Sequence, residues 1–162
     1  MEVLIDHIRT ADEDNPKGYY EFERVKQIKQ DKDWLEEAKG KAVKMVGALL
    51  KHLPRSYDYN ILFMRRQIEE VLASQSKMLV RRGEATDTIS DERLAALFRK
   101  HVAQIEAWIE EQPNIKVFYV DHRQVRDAPV EQAQRVNHFR GGQLAEEAMA
   151  TVVDPELYRQ RR

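Results

Sequence analysis

Ile61-Leu62-Phe63-Met64-Arg65-Arg66-Gln67-Ile68-Glu69-Glu70-Val71-Leu72-Ala73-Ser74 is the stretch that decides the fold. Asn60 to Met64 is a short apolar and aromatic run bounded by polar residues, which suits a buried strand. From Ile68 to Arg81 the apolar residues Val71, Leu72 and Leu79 share one helical face. A strand therefore delivers arginines to its carboxyl end and a helix follows at once. Free backbone N–H groups at a helix start, together with a forked guanidinium, suit a phosphate or sulfate. Ser74 follows Arg66 by eight residues, about two turns on and roughly 80° round the helix, so its hydroxyl is able to face the same anion. The competing expectation is that the two arginines are solvated or ion-paired with Glu69 and Glu70.

Downstream, Asp91 to Gln112 carries Leu94, Leu97, Phe98, Ile105, Trp108 and Ile109 at helical spacing and stops at Pro113-Asn114. Ile115 to Val120 is a second short run suited to a buried strand. Upstream, Glu2 to Asp6 reads as a strand leading into a polar loop, Tyr19 to Gln30 as one or two helices, and the nearly all-apolar Ala42 to Leu50 as a further strand. In the helical segment Phe22, Val25 and Ile28 stand three apart, with Trp34, Leu35 and Ala38 extending it past a charged interruption. Alternating strands and helices predict an α/β fold with a mostly parallel sheet, whose ligands sit at the strands' carboxyl ends.

The bulk properties narrow the function. The 162 residues have room for one core, so a single domain spanning residues 1–162 is expected. With 27 Lys plus Arg against 28 Asp plus Glu the net charge is -1, which argues against a nucleic-acid binder and makes any anion site local. The absence of cysteine rules out disulfides, thiolate catalysis and Cys-based zinc sites, and fits a cytoplasmic protein. No apolar run approaches the ~20 residues of a membrane span, so no membrane partner is expected. The five histidines lack metal-ligand spacing, His101 falling on an apolar helix face, so no metal is assigned.

The segment from Arg66 to Ser74 resembles the 3′-phosphate motif of PAPS-dependent sulfotransferases, in which a strand-end Arg and a Ser eight residues later hold the 3′-phosphate of the co-substrate. A second segment, Asn15-Pro16-Lys17-Gly18-Tyr19-Tyr20-Glu21, resembles the Asn-Pro-x-Gly-Tyr/Phe-x-Glu stretch of bacterial sulfotransferase-like proteins. Weaker similarity runs through Val117 to Gly142, where Arg140 replaces a Leu of the family's helix end, and on to the basic tail. The resemblance implies a P-loop-NTPase-like three-layer fold, PAPS or PAP as co-substrate, and transfer of a sulfuryl group to the hydroxyl or amine of an unidentified small-molecule acceptor. Arg65, Arg66, Ser74 and Arg159 are the implied cofactor-binding residues. Sulfuryl transfer also needs a base for the acceptor proton and a cation near the leaving phosphate oxygen. Glu21 is the candidate base and Lys17 the candidate cation, although Glu21 reads equally as an exposed carboxylate in a first helical turn.

Such sulfotransferases begin with a strand and a loop resembling Gly-x-Pro-Arg-Ser-Gly-Thr that cradles the 5′-phosphosulfate, and neither is expected here. Leu53-Pro54-Arg55-Ser56 matches four loop residues, but Tyr57-Asp58 follows where Gly-Thr is needed and a strand comes next, so the match is a coincidence. Whether the chain is an enzyme therefore stays open at this point. The alternatives are a non-catalytic PAP-binding domain and a self-associating interaction domain.

Overall fold

The computed structural model describes residues 1–13, 15–81, 83 and 90–157. The chain forms two compact units, Met1–Ser56 and Tyr57–Arg162.

The first unit contains little regular structure. Helical spacing between Phe22 and Ile28 produces a 3-10 helix, Glu23–Gln27, and not an α-helix. Apolar residues three apart fall on one ridge when a turn holds three residues. The bonds Val25 N–H to Phe22 O (3.0 Å) and Ile28 N–H to Val25 O (3.2 Å) have that period. Asp31 then takes Arg24 at 2.7 Å and the Asp33 amide at 3.0 Å, which turns the chain before the short helix α1, Trp34–Glu37. Val25, Ile28, Trp34, Leu35 and Leu50 are buried with Leu4 and Tyr19, and Phe22 meets Trp34 edge to face at 5.7 Å.

Two expected strands are absent from this unit. Val3 and Ala42 form one isolated parallel bridge, with Leu4 N–H to Ala42 O at 2.9 Å. Extension ends at His7, whose φ of 58° lies in the left-handed region. The run from Ala42 to Leu50 turns at Gly47 into a 3-10 helix, Gly47–His52. An apolar run identifies burial but not the ladder partner that makes a strand.

The second unit is mixed α/β. Strands β1, Tyr59–Arg65, and β2, Ile115–Asp121, pair in parallel with Tyr59 opposite Ile115 and Arg65 opposite Asp121. Parallel pairing needs a long crossover, here carried by α2, Ile68–Arg81, and α3, Asp91–Glu110. Ser90 caps α3 by accepting from the Arg93 amide, and the chain leaves the helix at Pro113 as expected. Leu97 and His101 both face solvent, so the histidine assigned to an apolar face does not pack there. Beyond β2 come α4, His122–Asp127, α5, Pro129–Phe139, and α6, Glu146–Thr151.

Strand alternation sends Phe63 and Tyr119 to one side of the sheet, where they meet edge to face at 5.7 Å. Phe118 is on the other side, stacked on Phe139 of α5 at 5.5 Å. Leu62 and Met64, on the Phe118 side, are 44% and 54% exposed. Arg140 sits half-buried at the end of α5, where Gly141 and Gly142, with φ of 91° and 79°, turn the chain away. Among the described residues the sheet has two strands, so the three-layer P-loop-like architecture is an expectation and the mixed α/β character is the observed fact.

Candidate functional site

In a parallel pair the carboxyl ends of both strands lie together. Arg65 opposite Asp121 therefore brings Arg66 beside the residues that follow β2. Here the two arginines have different surroundings. Arg65 donates from Nε to Glu106 at 2.8 Å and lays its guanidinium 3.8 Å from the centre of the Tyr119 ring. Arg66, the next residue, donates from Nε to Glu70 Oε2 at 3.3 Å.

Glu70 lies in the first turn of α2, with only 3% of its side chain exposed. A carboxylate this buried requires compensation. It receives Arg66 on one oxygen and Arg123 Nη2 on the other at 3.3 Å, while the same Arg123 nitrogen reaches Gln67 Oε1 at 2.8 Å. Nearby, Glu69 is bound by Arg99 and Asp127 by Arg126. The ion pairing weighed from the sequence is thus present, through Glu70 for Arg66 and through Glu69 for a different arginine. Ser74 is half-buried on α2, one turn beyond Glu70.

Asp121 closes the group. Its carboxylate accepts the amides of Arg123 at 2.8 Å and Gln124 at 3.1 Å, which starts α4 and sets the position of Arg123. Burial, and then the positive charge of Arg66, lowers His122 below the ordinary imidazole value, with Glu70 opposing.

Lys17 and Glu21 line a cavity of about 340 Å³ in the first unit, together with Ile5, His7, Arg9 and Tyr20. Glu21 is bound by Arg9 Nη1 at 3.3 Å and by Lys44 Nζ at 3.5 Å. Arg9 lies 3.4 Å over the ring of Tyr19, whose hydroxyl donates to Asp12 at 2.6 Å. His7 and Tyr20, with φ of 58° and 51°, both border the cavity. Asp6 fixes this turn by accepting the amides of Glu23 at 2.5 Å and Ile8 at 3.0 Å, and those bonds hold its carboxyl below the usual range.

Arg159 lies outside the described residues. Gln67, His122 and Arg123 were not singled out from the sequence. The available signal was that Asp121-His122-Arg123 follows β2 as Arg65-Arg66 follows β1, so parallel pairing would bring the two basic segments together. Among the described residues no group of His, Asp and Glu is arranged to hold a metal ion. Nor is any helix there long and apolar enough to cross a membrane. Compared with models of protein families, with curated proteins and with solved structures, the chain matches none.

Proposed function

We propose that this chain is a sulfotransferase-like protein of P-loop-like fold that binds the 3′-phosphate of PAPS or PAP with Arg66 and Ser74. The observation that supports it is Arg66 at the carboxyl end of a parallel strand, anchored through Nε to the buried Glu70. Such an anchor leaves both Nη groups of the guanidinium to donate to an anion. The helix that follows carries Ser74 one turn beyond the anchor.

In the proposed reaction the acceptor oxygen or nitrogen attacks the sulfur of PAPS. A bond to sulfur forms, the bond from sulfur to the bridging oxygen breaks, and PAP leaves with the electron pair. The step also needs a base for the acceptor proton and a cation for the charge on the leaving oxygen, the roles that the sequence resemblance gives to Glu21 and Lys17.

Calorimetric titration with PAP tests the binding step. Saturable binding that disappears in Arg66→Ala is expected. Failure of the folded wild-type chain to bind would sink the proposal. A second reading, self-association, rests on exposed Leu62 and Met64 along β1 and predicts a mass that rises with concentration.

A further inference from the structure

Neighbouring arginines pair with different carboxylates: Arg65 with Glu106, Arg99 with Glu69 and Arg126 with Asp127. Arg66 and Arg123 instead share Glu70. Two guanidiniums on the two oxygens of one carboxylate are close neighbours and repel each other. One buried negative charge orients both of them. Arg66 uses only Nε on Glu70, and Arg123 uses only Nη2, on Glu70 and Gln67. The remaining guanidinium donors, the Nη groups of Arg66 and the Nε and second Nη of Arg123, point to no protein acceptor among the described residues. A guanidinium has five N–H donors in a fixed fork, so fixing one end aims the others.

We propose that Arg123 is a second phosphate-binding residue, and that Arg66 and Arg123 form a two-arginine clamp around the 3′-phosphate. The clamp rests on the sulfotransferase-like reading above and extends it. Glu70 and Gln67 act through the arginines, as positioning residues. One arginine comes from the end of β1 and the other from the first turn after β2, so the site depends on the parallel pairing of the strands. The matching ligand is a phosphate monoester, whose several ionised oxygens can engage both forks, in preference to a nucleotide with a free 3′-hydroxyl.

The test is calorimetric titration of the whole chain with adenosine 3′,5′-bisphosphate and with adenosine 5′-monophosphate, for wild type, Arg66→Ala, Arg123→Gln and Arg123→Lys. Losing one charge-assisted contact should weaken bisphosphate binding in Arg123→Gln by about tenfold, with monophosphate binding unchanged. Arg123→Lys keeps a cation beside Glu70 but loses the fork, so it should fold like wild type and still bind the bisphosphate several-fold more weakly. Wild-type bisphosphate affinity in both Arg123 variants, with binding lost in Arg66→Ala, would overturn the clamp and leave the 3′-phosphate reading intact. Equal weakening toward both nucleotides would also overturn it, because the effect would not belong to the 3′-phosphate. No binding by folded wild type would overturn both.

Discussion

Among the described residues, Glu70 and Glu21 each bind two cations, and their surroundings differ. Glu70, 3% exposed, takes Arg66 and Arg123 from regular elements at the ends of a parallel strand pair. Glu21, 23% exposed, takes Arg9 and Lys44 in a unit built from turns, beside two residues in the left-handed region. Burial makes the first arrangement obligatory, because a carboxylate out of water must keep its partners. Exposure makes the second adjustable, because solvent screens it. A phosphate site gains from fixed donors. A group that must take up and release a proton gains from access to water.

The comparison breaks most visibly if Glu70 is removed. Glu70→Ala should lower stability by about 3 kcal/mol, the low end for breaking a buried ion pair because both arginines reach solvent. A denaturant midpoint close to wild type would show that the two arginines do not need the carboxylate.

Acid should act in both units. Burial first, then Arg66, lowers His122, and burial first, then Lys29, lowers His52. Both stay neutral in the folded protein at pH values where the unfolded chain, near 6.5, takes up protons. The unfolded state then binds more protons, so stability is full above about pH 6.5 and declines as the pH falls below it. Asp6, Asp31 and Asp127 are lowered from 3.8, so their contribution is lost only in stronger acid. Unfolding midpoints measured at pH 7.5 and 5.5 should therefore fall, and a flat profile would remove the histidines from the account.

His7→Gly probes the turn-built unit. Exposed His7 has a φ of 58°, and relief of left-handed strain should raise stability by up to about 1 kcal/mol. A loss in a thermal melt would mean that the imidazole holds the turn.

The smallest effect belongs to Glu21→Gln, which should cost about 0.5 kcal/mol in stability. If Glu21 is the base, the same variant should abolish sulfuryl transfer. A stability loss as large as that of Glu70→Ala would erase the distinction between the two carboxylates.

Legibility in the sequence follows the same division. Strand Asn60 to Met64 is observed as Tyr59–Arg65, and helix Ile68 to Arg81 has the same ends. Ile115 to Val120 extends by one residue to Asp121. These segments combine a clear period with a polar or proline boundary. Ala42 to Leu50 has apolar character without a period, and among the described residues its ladder contact is the bridge from Ala42 to Val3. Arg66 and its pairing with Glu70 were within reach of a local reading, because they are four residues apart. Arg123 stands 53 residues from Glu70, so no local pattern connects them.

Apolar period and chain boundaries, which depend on neighbouring residues, determined from the sequence alone that a strand presents Arg66 to the start of a helix carrying Ser74. The tertiary structure decided which cations share Glu70 and which arginine turns instead to Glu106 and Tyr119, and it placed Glu21 between Arg9 and Lys44. Those outcomes depend on strand register, burial and the direction of each side chain, which arise only when distant segments pack.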